Sequence, residues 1–192
     1  MDVEPNYESE DDAIELALLR RNDPGDTFAC IRLRVCSDET LSQALQSNDH
    51  VNSITFCFYD IGTTTNWDLL LRVLATRENL ESVYLDDLQR NPSDRVKPFL
   101  HALQQNPRVK DMKLHKLQLS GDSFASYLDN ATSVTTLQME ECHMEAPDGA
   151  LGIADALQRN MNIQQLTLAG LAETDLIPIV TSLAANTSVR EL

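Results

Sequence analysis

The chain has 192 residues, 42% of them hydrophobic and 23% charged, with a formal net charge of −15. That balance fits a globular fold, and no apolar run approaches the roughly 18 residues of a membrane span. So large an acidic excess argues against nucleic acid as the main partner, because phosphate binding is carried by Lys and Arg.

The acids are concentrated at the start, where residues 1–27 hold nine of them against Arg20 and Arg21. Residues 1–11 read as an acidic, disordered tail. The opening MDVEPNYESEDDAIEL has no basic start followed by an apolar stretch, so it is not a secretory signal, and a cytoplasmic location is the expectation. Ser9 to Asp12 offer an N-cap and first-turn acids, and Arg20 and Arg21 meet the negative end of a helix dipole. With Ile14, Ala17 and Leu18 as its apolar face, a capping helix and its loop are predicted over 12–27.

One apolar phrase then returns along the chain, and a fixed frame repeated this often means stacked repeats. Its first copy is loose: Leu19, Asn22, Phe28, Ile31 and Leu33, stretched by Pro24-Gly25-Asp26. The second is Leu41-Leu45-Asn48-Val51-Ile54-Phe56. The third, Leu70-Leu74-Arg77-Leu80-Val83-Leu85, keeps the spacing and loses the Asn. Phe99-Leu103-Asn106-Val109-Met112-Leu114 restores it, and Phe124-Leu128-Ala131-Val134-Leu137-Met139 loses it again. Ile153-Leu157-Asn160-Ile163-Leu166-Leu168 and Ile179-Leu183-Asn186-Val189-Leu192 complete the series.

Each copy joins a helical stripe to a short strand. One helix and one strand per repeat, in the same direction every time, require parallel strands joined by helical crossovers. The strands are expected to begin at Phe28, Val51, Leu80, Val109, Val134, Ile163 and Val189. The recurring Asn is read as a helix-ending residue tolerant of the left-handed conformation. The last phrase stops at Val189-Arg-Glu-Leu192, so a repeat cut mid-way is expected, in a fragment, a truncated gene model or one part of a longer repeat protein, with an oligomer sealing that edge as the alternative.

This spacing resembles the leucine-rich repeat family and, in its helix-containing longer period, the ribonuclease inhibitor-like subclass. The family phrase is matched at Val134-Leu137-Met139-Cys142-Met144, at Val109-Met112-Leu114-Leu117-Leu119 and at Val51-Ile54-Phe56-Tyr59-Ile61. The resemblance implies an α/β solenoid of about six to seven repeats over residues 12–192. Its curved parallel sheet would form the concave face and its helices the convex one. It places Cys36 and Cys142 at the inward-turned Asn/Cys position, where a thiol acts as a buried apolar group. Tyr59, Leu88, Leu117 and Leu171 fill that place elsewhere, so the regular Asn ladder of the family is missing.

Catalytic signatures are missing from the sequence as well. There is no nucleophile elbow, phosphate-binding Gly loop or HExxH, and the four Cys (30, 36, 57 and 142) show neither CxxC spacing nor a His at ligand distance. His50, His101, His115 and His143 fall at no repeated phase. Trp67 looks exposed at a helix start but is expected to pack over a loop. The one basic cluster, Arg108, Lys110, Lys113 and Lys116, reads as solvated surface.

The expected function is therefore non-enzymatic: a protein–protein interaction module that binds on the concave face. It needs no cofactor or metal and takes no nucleic acid, membrane or small-molecule substrate. The candidate binding residues are Arg32, Arg34, Tyr84, Asp86, Lys113, His115, Gln138 and Glu140. Tyr84 and the Arg pair are the strongest anchors, because Tyr and Arg are enriched at binding hot spots. The resemblance also implies an alternative, a regulatory segment of a GTPase-activating or innate sensor-type protein.

Overall fold

The structure is a computed structural model, and it describes residues 23–25, 27–32, 38–58, 67–87, 93–145 and 148–192. The acidic tail and nearly all of the expected capping segment lie outside these residues. Of that segment, a turn remains at Pro24 and Gly25, where the Gly25 N–H donates to Asp23 Oδ1 at 3.0 Å.

Strand and helix alternate as the phrase requires. The order is β1 (Phe28–Arg32), α1 (Asp38–Ser47), β2 (Ser53–Cys57), α2 (Asp68–Thr76) and β3 (Ser82–Asp86). A 3₁₀ turn (Ser93–Arg95) leads into α3 (Lys97–Gln104), followed by β4 (Asp111–His115), β5 (Gln118–Leu119) and α4 (Gly121–Asn130). Then come β6 (Thr136–Glu140), β7 (His143–Met144), α5 (Gly149–Arg159), β8 (Gln165–Ala169) and α6 (Glu173–Leu183).

Six strands form one parallel sheet in the order β1-β2-β3-β4-β6-β8, and β5 pairs with β7 in a second, two-stranded sheet. The Val189–Leu192 segment joins the main sheet through a single parallel bridge between Gln165 and Glu191. Because the order follows the chain, right-handed crossovers put every helix on the same side. Neighbouring helices pack on one another in sequence, from α1 on α2 to α5 on α6. This is an α/β fold in which six parallel strands alternate with helices.

The core lies between the two layers. From the sheet, Ile54, Val83, Met112, Leu137 and Leu166 form one buried column, and Phe56, Leu85, Leu114 and Met139 form the next. The helices return Leu41 and Leu45, Leu70 and Leu74, Phe99 and Leu103, Phe124 and Leu128, and Ile153 and Leu157, all buried. Each such side chain contributes about 1.5–3 kcal/mol when removed from water. Trp67, too, is core, at 8% exposure. The first apolar residue of each inner phrase (Val51, Leu80, Val109, Val134, Ile163) is buried at the entrance to its strand. The strands themselves begin two residues later.

The first copy departs from its expected frame. The register pairs Phe28 with Ser53, Ala29 with Ile54 and Ile31 with Phe56, so the true frame starts two residues earlier. FACIRL offers apolar side chains on both faces, and pairing with β2 selects the face that buries Ala29 and Ile31. Phe28 is left on the helix-free side, 59% exposed. Cys36, expected at the inward-turned position, lies outside the described residues. Cys142 does occupy that position. It is buried, its Sγ donates to the Leu114 and Glu140 carbonyls at 3.5 Å each, and burial pushes its thiol up to about 11.

The repeated Asn ends its helix by a different device from the left-handed one expected. Among the described non-glycine residues only Lys116 and Glu141 have positive φ, and Asn160 is extended at φ −66°, ψ 126°. The Asn side chain instead stitches adjacent repeats together. Asn106 Nδ2 donates to the Leu74 and Arg77 carbonyls of the preceding repeat at 2.6 and 2.9 Å, and its Oδ1 accepts from the Arg108 N–H. Asn160 reaches the Leu128 carbonyl, and Asn186 reaches those of Leu157 and Asn160. Both use Oδ1 to hold the two N–H groups entering the next strand segment. These carbonyls are the unsatisfied acceptors at each helix end.

The two copies without Asn solve the same problem unequally. Arg77 sends its guanidinium to the carbonyls of Leu45, Asn48 and Val51, the first two equivalent to those that Asn106 holds one repeat later. At Ala131 only a substitute remains, the Ser133 hydroxyl donating to the Asn106 carbonyl at 3.3 Å. Ala131→Asn is therefore expected to supply the missing rung to Leu103 and to stabilise the protein by about 1 kcal/mol. An upward shift of the urea midpoint at constant m value would show it.

Candidate functional site

Side chains on the helix-free face stand in three columns fixed by the register. The first runs Phe28, Ser53, Ser82, Asp111, Thr136, Gln165, and the second Cys30, Thr55, Tyr84, Lys113, Gln138, Thr167. The third is Cys57, Asp86, His115, Glu140, Ala169. Alternation within a five-residue strand puts these positions opposite the core columns. Toward β2 the face is less open than expected, because Thr55 and Cys57 are buried.

At the centre, β3, β4 and β6 bring five of the expected residues into one cluster. Lys113 Nζ lies 5.1 Å from the Tyr84 ring centroid, a cation–π contact, and 2.9 Å from Glu140 Oε2. His115 Nδ1 is 2.9 Å from Asp86 Oδ1, and its ring is tilted against Tyr84 with centroids 6.2 Å apart. The His115 and Asp86 side chains are only 17% and 14% exposed, while Lys113 and Glu140 are about twice as open at 33% and 30%. Burial first, then the Asp86 and Glu140 carboxylates, push the Tyr84 hydroxyl up to about 12, so it stays a protonated donor.

Two residues outside the expected binding set complete the cluster. Lys116 and Glu141 follow β4 and β6 with φ of 56° and 51°, and Gly170 after β8 has φ 64°. These left-handed turns redirect the chain at the exits of β4, β6 and β8. They leave Glu141 3.9 Å from His115 Nε2 and 3.8 Å from Lys116 Nζ. A non-glycine residue held there costs about 1–3 kcal/mol, strain of the kind that gathers at functional positions.

Gln138 sits beside Lys113 in register and is half-buried. Arg32 belongs to β1 opposite Cys57, but its side chain lies outside the described residues, and so does all of Arg34. The basic run from Arg108 to Lys116 is not a bare positive patch. Lys110, Lys113 and Lys116 each face an acid: Glu81 at 3.4 Å, Glu140 at 2.9 Å and Glu141 at 3.8 Å.

The cluster can hydrogen-bond and pair charges, but it has no nucleophile set against a base. Among the described residues no group of three or more His, Cys, Asp or Glu could hold a metal ion, and no helix is long and apolar enough to cross a membrane.

No protein-family profile matches the sequence, and no curated protein matches it. Among solved structures, the chain is similar to the tropomodulin C-terminal domain of Caenorhabditis elegans. The TM-score is 0.49 at 10% identity, over 92% of this chain and 93% of that one. It is also similar to leiomodin-1 actin-binding site 2, with TM-score 0.47, 14% identity, and 90% and 87% of the two chains covered. These neighbours overturn the expected ribonuclease inhibitor-like subclass, since both are domains of another kind. The physical reason is that the apolar phrase reports parallel strands stacked with helical crossovers. Every protein stacked that way shares it, so it fixes the architecture and not the subclass.

Proposed function

We propose that the chain is a non-enzymatic protein-interaction module, with the helix-free face around Tyr84, Asp86, Lys113, His115 and Glu140 as its binding surface. The observation that carries this reading is the cluster itself: an aromatic ring and alternating charges, half-buried and pre-positioned on three rigid strands. A surface whose ionic groups are already ordered loses less side-chain freedom when a partner docks. Curvature adds to the fit. Helices pack about 8–10 Å apart while paired strands lie about 4.8 Å apart, so equal numbers of each bend the stack with the sheet inside. A solenoid of this kind presents a concave face that accepts a convex protein surface of mixed charge. The regulatory alternative rests on fold analogy alone.

Capture by the full chain is the test, with Tyr84→Ala/Lys113→Ala as the variant. Truncating a hot-spot residue costs about 2 kcal/mol or more, so the pair is expected to lower affinity by about a hundredfold or more. Circular dichroism should be unchanged, since both side chains lie outside the core. Undiminished capture by the folded variant would sink this surface as the site. Actin serves as one defined probe, since one of the similar structures is an actin-binding site.

A further inference from the structure

The Tyr84 cluster carries one carboxylate more than its lysines balance. Asp86, Glu140 and Glu141 stand against Lys113 and Lys116, and the close pairs are His115 with Asp86 and Lys113 with Glu140, each at 2.9 Å. Glu141 is held more loosely, 3.8 Å from Lys116 Nζ and 3.9 Å from His115 Nε2. Its side chain is also the most open of the three carboxylates, at 51%.

Both nitrogens of the His115 ring thus face a carboxylate. Ionised Asp86 can only accept, so in the neutral ring the single proton belongs on Nδ1. That leaves an Nε2 lone pair beside a second acceptor, and nothing draws Glu141 closer. A proton taken from solvent at Nε2 makes it a donor, and a charge-assisted bond closes to about 2.7–2.9 Å. Glu141 would move by only about 1 Å to make it. Its stem is anchored: the Glu141 N–H donates to the Ala169 carbonyl at 2.8 Å, and a Cβ at Gly170 would stand 2.9 Å from Glu141 Cγ.

We propose that His115 is a proton switch for this surface. When the ring takes a proton, Glu141 closes onto it, ties the exits of β3, β4 and β6 together and is withdrawn from solvent. When the ring is neutral, Glu141 is the surplus carboxylate, and charge complementarity fits it to a lysine or arginine of the partner. Proton and partner compete for one group, and histidine is the side chain suited to such an exchange near neutral pH. Among the described residues, the titratable groups around the ring are Tyr84, Asp86 and Asp87 from β3 and its exit, Lys113 and Lys116 from β4, and Glu140 and Glu141 from β6. At this level β8 adds only Ala169. The switch rests on this face being a binding surface, but the closure of Glu141 on His115 is measurable with no partner present.

The test follows the His115 ring through pH by NMR of the histidine-labelled full chain. Glu141→Gln is expected to lower the pH at which that ring titrates by about half a pH unit, because a carboxylate favouring the charged ring is gone. Glu173→Gln, in the first turn of α6, should leave it in place. Methylguanidinium chloride stands in for the partner's arginine. It should lower the titration of the unaltered chain relative to sodium chloride at equal ionic strength, and Glu141→Gln should lose that effect. An unchanged titration in Glu141→Gln would overturn the closure. Equal response of the unaltered chain to the two salts would overturn the competition. Both expected results can stand while the Tyr84→Ala/Lys113→Ala capture fails, so the switch and the binding surface fall separately.

Discussion

Replacing Arg77 by alanine is expected to lower the unfolding free energy by about 3 kcal/mol. Arg77 is 8% exposed, and its guanidinium supplies hydrogen bonds to the carbonyls of Leu45, Asn48 and Val51. Truncation leaves those acceptors facing a void or stray water, and each unsatisfied buried acceptor costs about 1–3 kcal/mol. The cleft beside Arg77, bordered by Gln46, Asp49, Thr76 and Asn79, admits some solvent, which keeps the estimate at the lower end of that sum. For a chain of this size the loss corresponds to roughly 6–12 °C in Tm. Arg77→Asn separates the rung from mere bulk. Asn holds the equivalent carbonyls from Asn106, so it should recover a large share of the loss despite its smaller volume. Equal destabilisation by both variants in urea melts would mean that Arg77 acts through packing and not as a rung.

Gly121→Ala carries the second large effect. Gly121 opens α4 where it passes the start of α5. A Cβ at position 121 would stand 2.3 Å from Gly149 Cα, 2.7 Å from its carbonyl oxygen and 2.9 Å from its carbonyl carbon. All three are backbone atoms, so no side-chain rotation relieves the clash and two helices must separate. Overpacking of this kind costs about 1–3 kcal/mol, and backbone partners put it at the upper end. Gly152→Ala is the internal control. It lies within α5, its nearest non-local neighbour would be Ala125 Cβ at 3.9 Å, and a stabilisation of about 0.4–1 kcal/mol is expected. Comparable loss in both variants would point to helix propensity or the unfolded state, and away from the close approach.

These two sites mark where the sequence was readable and where it was not. Burial of Leu70, Phe99, Phe124 and Ile153 follows from periodicity, because the same local pattern recurs and each copy confirms the others. The helix-free columns followed too, since alternation along a strand is a local rule. The Asn role did not. A left-handed helix end and a bridge to the previous repeat look the same in one dimension, and only the distance from Asn106 to Leu74 separates them. Arg77 looked like a lost Asn although it is a longer reach to the same carbonyls. The slip at Phe28 has a similar origin: FACIRL satisfies both faces, and the choice is made by β2, not by β1. The contact between Cys30 and Cys57 was hidden too, because pairing between repeats, not spacing within one, brings their sulfurs to 3.8 Å.

The rungs between repeats also have a direction. Asn106, Asn160 and Asn186, and Arg77 with them, donate from the later repeat to carbonyls at the end of the earlier helix. Opening a later repeat therefore uncaps the one before it. Opening an earlier repeat leaves the later Asn still holding its own loop through Oδ1. Loss of order thus travels more easily toward low residue numbers than toward high ones, which gives a quasi-one-dimensional stack a one-way zipper.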